Sequence, residues 1–213
     1  MSQSIIEQGS PEWHAKRCGK VTASRIADMM AKTKTGWGAG RANYRAQLVA
    51  ERLTGIVANS YTNDAMEWGT ATEADARAAY SFLRNADVVE IDFVDHPTIG
   101  MSGCSPDGLV GEHGLVEIKC PNTATHITTL LGGVIPGKYQ LQMMWQMACT
   151  GRQWCDFVSF DPRMPDDMRL FVHRLARNDG QIVEIAAEVR VFLGEVAAMV
   201  SDLTTLYRNQ AAE

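Results

Sequence analysis

The chain has 213 residues, 46% hydrophobic and 21% charged, which suits one globular domain with a sizeable core. No apolar run reaches the roughly 20 residues that cross a bilayer, and MSQSIIEQGSPEWH lacks the basic flank and apolar stretch of a signal peptide, so the cytoplasm is the expected location. The formal charge of −5 excludes a uniformly basic nucleic-acid binder, yet residues 1–55 carry nine Lys/Arg against four acids, which admits an anionic partner at the N-terminal third, although charge alone favours a solvated basic face that binds nothing.

Ser10-Pro-Glu-Trp13 reads as a helix start with Ser as cap and Pro in the first turn. Thr22–Arg25 opens a second helix with Ile26, Met29 and Met30 at helical spacing. Residues 32–40 form a glycine-rich, basic loop expected to be mobile. A helix over about 42–53 stops at Gly55. The next, over about 66–83, offers Trp68, Ala71, Ala74, Ala78 and Phe82 as its narrow face. From Val88 the pattern alternates: strands are expected over 88–94, 99–104, 108–111 and 115–120, the last ended by Pro121. A helix over about 138–150, strands over 154–160 and 171–175, and an amphipathic helix over about 181–208 complete the chain. This order predicts an α/β domain with a mixed central sheet flanked by helices. Residues 1–213 read as one domain: a basic helical part to about 84, a sheet core over about 85–176, and the C-terminal helix over about 181–208.

The five cysteines are odd in number and contain no CxxC pair, so free buried thiols are expected rather than disulfides or structural zinc. The five histidines are scattered without ligand spacing. Trp13 with His14 beside it, and Met143, Met144 and Met147, read as core. Trp37 in the basic loop could stack on a base or touch another subunit, and both readings stay open.

The chemistry concentrates in Ser105-Pro-Asp107-Gly108 and Leu115-Val-Glu117-Ile-Lys119. Glu117 and Lys119 are two apart on a strand and so project from one face, while Ile118 points to the other. If the flanking strands form a hairpin, Asp107 and Glu117 converge on one ion, and hard oxygen ligands suit magnesium. Lys119 could then orient or activate a metal-bound water and counter developing negative charge. An E-x-K triplet is equally the mark of an ion pair on a wet sheet face, so spacing alone leaves both readings. Two features favour the catalytic one: the charges sit among Leu115, Val116, Ile118 and Cys120, where they need partners, and Asp107 precedes a glycine, where backbone can approach a ligand.

D-x(9)-E-x-K resembles the PD-(D/E)XK nuclease signature. The strings WHAKRCGKVTAS, Glu67-Trp-Gly-Thr-Ala-Thr-Glu73, GCSPDGL…LVEIKCP, Tyr139-Gln-Leu-Gln142 and Phe160-Asp-Pro-Arg-Met164 resemble the lambda exonuclease/YqaJ-type viral recombinase family, over about residues 10–165. The resemblance implies a restriction-endonuclease-like PD-(D/E)XK core. It also implies a phage- or prophage-encoded enzyme of the bacterial cytoplasm that enters duplex DNA ends and degrades one strand 5′ to 3′. Mononucleotides are released, and a 3′ single strand is left for an annealing recombinase partner. It implies a homotrimeric ring and two Mg2+ ions per site, with Mn2+ able to substitute. Asp107, Glu117, the Ile118 carbonyl and Glu73 match metal ligands, Lys119 the catalytic lysine and Gln142 a helix glutamine beside the site. Arg17, with Ser24 and Ser105, matches a 5′-phosphate site. Met66 falls where a leucine wedges apart the terminal base pair, and Lys34 near an arginine that touches duplex; Trp37 is a further candidate DNA contact. Where the family has an aspartate ten residues before the central Asp, this chain has Pro97. Asp95 either takes that role or the role is absent. Two rival readings are an endonuclease on the same fold and an inactive DNA-binding scaffold.

Overall fold

In a computed structural model the described residues are 6–58 and 64–208, the side chains at 64–66 excepted. Helix α1 (Pro11–Arg17) starts as the sequence predicts, the Ser10 hydroxyl accepting from the Trp13 amide. A two-residue strand β1 (Val21–Thr22) follows, then a 3-10 turn (Ala23–Arg25) running into α2 (Ile26–Met30). The segment expected to be a mobile loop is a hairpin instead: β2 (Lys32–Thr33) pairs antiparallel with β3 (Gly36–Trp37). Helix α3 (Ala39–Thr54) ends where Gly55 takes φ +69°, a left-handed conformation that suits glycine.

Helix α4 (Asp64–Arg84) corrects the expected face. Thr72, Ala76 and Tyr80 are buried, while Ala71, Ala74 and Ala78 are exposed and Phe82 is 90% exposed. The stretch expected as one strand over 88–94 is two: β4 (Val88–Val89) and β5 (Val94–Asp95) belong to different sheets. Strands β6 (Ser102–Cys104), β7 (Gly108–Val110) and β8 (Gly114–Lys119) follow. Helix α5 (Thr123–Gly132), not expected from sequence, is capped by Asn122, whose side chain accepts from the Thr125 amide. Then come α6 (Gly137–Thr150), β9 (Trp154–Phe160), β10 (Leu170–Ala176) and α7 (Asp179–Tyr207).

The main sheet has the order β10-β9-β8-β7-β4, with β8 and β9 parallel and the other pairs antiparallel. It is the mixed sheet expected. A small sheet, β1-β6-β5, joins the N-terminal segment to the centre of the chain, because β1 lies parallel to β6. The basic N-terminal part is thus built into the fold rather than appended.

Alternation along β8 and β9 sorts side chains to two faces. Leu115, Cys155 and Phe157 join one core with Tyr44, Trp145, Phe192 and the buried face of α7. Val116, Ile118, Val158 and Phe160 join the other with Ala76 and Tyr80 of α4. Cys104, Cys120, Cys149 and Cys155 are buried free thiols and Cys18 is half-buried and free, as the cysteine count implies. Among the described residues no helix is long and apolar enough to cross a membrane.

Candidate active site

β7 and β8 form the hairpin the carboxylate argument required, with Gly108 opposite Val116. Extending that register by one places Asp107 opposite Glu117. The Ile118 amide donates to Asp107 Oδ2 at 2.6 Å, tying the residue expected to offer a carbonyl ligand to the first carboxylate. Gly108 has a packing reason beyond ligand access: a Cβ there would lie 2.2 Å from Val88 Cγ1 on β4.

Glu117 is fully buried, and three donors hold its two oxygens. Gln142 Nε2 on α6 reaches Oε1 at 2.6 Å, Gln146 Nε2 reaches Oε2 at 2.5 Å, and Lys119 Nζ lies 2.5 Å from Oε1. Gln142 and Gln146 are four apart and so share a helix face; that spacing could have identified Gln146, which sequence reasoning missed. Lys119 keeps 28% of its side chain exposed. Burial alone would lower its pKa, but Glu117 and Asp107 outweigh that and raise it. The two carboxylates therefore favour the charged form of Lys119.

Asp107 has a pKa well above the carboxylate range, first from burial and then from Glu117, only partly offset by Lys119. Glu73 on α4 is raised chiefly by burial and feels Lys119 and Glu117 as well as Arg77. Its carboxylate accepts from Arg77 Nη2 at 2.7 Å, and Arg77 also pairs with Glu90 at 2.6 Å. Three carboxylates thus share Lys119 and an arginine that is itself divided. This surplus of hard oxygen and negative charge suits a divalent cation. Among the described residues no three His, Cys, Asp or Glu side chains close into a metal-holding group. The donor set is instead the facing pair Asp107 and Glu117, with Glu73 turned to Arg77.

The three residues assigned to 5′-phosphate binding divide. Arg17 Nη1 donates to Ser105 Oγ at 3.0 Å, while Ser24 lines a cleft of about 410 Å³ with Lys119, Tyr139 and Gln142. Arg17 makes no ion pair among the described residues, and burial pulls its guanidinium down to about 10. A desolvated cation with no ion-pair partner among the described residues, which Glu51 reaches only through space, is set up for an anion. Trp13, expected in the core, is only half-buried; its ring lies 3.9 Å from the Arg17 guanidinium carbon and its Nε1 donates to Ser105 Oγ at 3.1 Å. His14 packs against its edge at 4.9 Å.

The candidate DNA contacts are more distant from this chemistry. Lys34 is exposed at the β2–β3 turn, and Trp37 is 43% exposed with Arg41 at 3.9 Å and Lys32 at 4.8 Å from its ring. Met66 lies in the first turn of α4, but its side chain is outside the described residues. Asp95 pairs with Lys20 at 2.6 Å and is 66% exposed, so it is occupied elsewhere. Trp68 of the Glu67–Glu73 string carries the Arg163 guanidinium at 4.4 Å, and Arg163 pairs with buried Asp161 at 2.7 Å. Two of the family strings are thereby joined beside the sheet.

A mixed sheet with paired carboxylates and a lysine on its central hairpin defines a restriction-endonuclease-like α/β protein. Residues 12–153 match the YqaJ-like viral recombinase domain. The chain is similar to an alkaline exonuclease, LHK-Exo, from Laribacter hongkongensis: 51% identical over 95% of this chain and 98% of that one, TM-score 0.87. It is similar also to LHK-Exo in complex with dAMP, at 50% identity over 94% of this chain and 100% of that one, TM-score 0.89. A phage-related exonuclease from Haemophilus somnus 129PT, 15% identical with TM-score 0.69 over 86% of this chain and 96% of that one, shares the fold. No curated protein matches. The chain belongs to the YqaJ-like viral recombinase family.

Proposed function

We infer that this chain is a DNA exonuclease: it enters a duplex end, hydrolyses the 5′-ended strand 5′ to 3′ with Mg2+, releases 5′-mononucleotides and leaves a 3′ overhang for strand annealing. The observation that carries this is the facing pair of half-buried Asp107 and fully buried Glu117 beside Lys119 on one hairpin. Similarity to an alkaline exonuclease at 51% identity supports the activity, and the relative's crystallisation with dAMP supports a mononucleotide product.

Asp107, Glu117, the Ile118 carbonyl and Glu73 are the residues that would hold magnesium, as two ions, with manganese able to replace it. Bound there, the metal would acidify a water and neutralise phosphate charge. The chain's own groups do the rest. Gln142 and Gln146 fix the Glu117 carboxylate in one orientation. Lys119, held charged, stabilises negative charge developing on the scissile phosphate. Arg17 and Ser105 take the 5′-phosphate, with Ser24 on the cleft wall. Lys34, Trp37 and Met66 contact the DNA outside the cleft. A homotrimeric ring in the bacterial cytoplasm, phage or prophage encoded and working with an annealing recombinase, completes the reading.

The test is a linear duplex end-labelled on either strand, digested with and without Mg2+. The expected outcome is metal-dependent release of the 5′ label first, as a mononucleotide, with a covalently closed circle left intact. Cutting of the circle would make the enzyme an endonuclease.

A further inference from the structure

The cleft above Glu117 has two lysines on its wall, and their situations differ. Lys119 is committed to Glu117 at 2.5 Å. Lys138, exposed on the same cleft, makes no ion pair among the described residues; its ammonium lies 4.6 Å from the centre of the Tyr139 ring. The cleft's own carboxylate, Asp28, does not claim it, because Arg25 Nε holds Asp28 Oδ2 at 2.7 Å. Tyr139 stacks on Phe157 at 5.3 Å and carries the Lys119 ammonium at 5.6 Å as well. One anchored ring thus supports two cations, one spent on the carboxylate and one free.

Apart from the Tyr139 ring, nothing local favours a lysine at this position. Lys138 stands in the first turn of α6, which begins at Gly137 after Pro136 and has no side-chain cap. The helix dipole favours anions there and disfavours a cation. A free lysine in an unfavourable place, on the wall of a cleft that it shares with Lys119, is accounted for by an anionic ligand that spans the cleft.

We propose that Lys138 is a substrate-binding residue, its ammonium gripping a backbone phosphate of the digested strand next to the scissile one. This rests on the reading that the cleft takes DNA. Lys119 and Lys138 then have separate duties: the first acts at the reacting phosphate, the second holds the strand in register beside it.

The experiment compares the wild-type chain with Lys138→Met and Lys138→Arg on an end-labelled, 5′-phosphorylated duplex with Mg2+, measuring kcat and KM over about 50–200 mM salt. The Met variant should raise KM several-fold with kcat within about twofold, and the slope of log KM against log salt should fall by about 0.7–0.9, the loss of one phosphate contact. The Arg variant should restore both. An unchanged slope, or a fall in kcat alone, would overturn the assignment even with KM raised, since neither reports a phosphate contact. A wild-type chain that digests no duplex would sink the nuclease reading itself, which separates that failure from a failure at Lys138.

Discussion

Glu117 and Asp156 are both fully buried carboxylates on adjacent parallel strands, and they face opposite sides of the sheet. Asp156 is satisfied with positive charge to spare: Arg174 binds it through Nε at 2.7 Å and Nη2 at 2.9 Å, Tyr80 donates at 2.8 Å, and Arg84 lies 3.8 Å away. Glu117 has two neutral amides and one lysine, with Asp107 beside it. The first arrangement pins α4 to the sheet and has nothing left to bind. The second is held in place but short of positive charge, which is the condition for recruiting a cation. Burial of a carboxylate therefore says little about function; the sign of what remains unbalanced around it says much more.

The comparison breaks most sharply at the reacting pair. Asp107→Asn or Glu117→Gln should lower the rate of duplex digestion by at least about 10³-fold, roughly 4 kcal/mol of barrier, with circular dichroism unchanged. Full activity in either variant would remove the site. Asp156→Ala should do the reverse, costing about 1–3 kcal/mol of folding stability because the buried Tyr80 hydroxyl loses its acceptor, while the half-exposed Arg174 and Arg84 turn to water. Urea titration would read this, and the folded fraction should keep near-normal kcat.

Smaller effects sharpen the contrast. Arg17→Ala should reduce the preference for 5′-phosphorylated over 5′-hydroxyl ends by about tenfold, the worth of one charge-assisted contact; equal loss on both ends would exclude a phosphate clip. The smallest effect is on metal-free stability. Asp107 ionises with difficulty when folded but has an ordinary value of 3.8, so the folded form binds the proton more tightly. Its stabilising contribution is present below that ordinary value and is lost as pH rises through the raised one. In EDTA the protein should melt lower as pH climbs through this window, and Asp107→Asn should melt about 2–4 °C higher than wild type at the alkaline end. A pH-independent difference between the two would contradict the strained ionisation of Asp107.

The hairpin, the shared face of Glu117 and Lys119, and the long C-terminal helix were legible because each rests on local periodicity. Other features depended on distant partners. In α4 the alanines suggested the wrong face, and Tyr80 is buried where Asp156, far along the chain, accepts its hydroxyl. Helix α5 is rich in threonine, a weak helix former, and is secured by the Asn122 cap and by buried His126, whose ring meets Ser159 at 2.8 Å and the Met168 carbonyl at 2.9 Å. The alternating run after Val88 looked continuous, but its two ends pair with different strands, which no local pattern records.

Ser105 carries a consequence of its own. A hydroxyl has two lone pairs and one hydrogen, and Trp13 and Arg17 fill both acceptor positions on its oxygen. The remaining hydrogen can only be given away. Whatever anion arrives meets an oxygen whose repulsive electron density is already screened on two sides, so a side chain that is ambivalent in water has been made into a one-way donor.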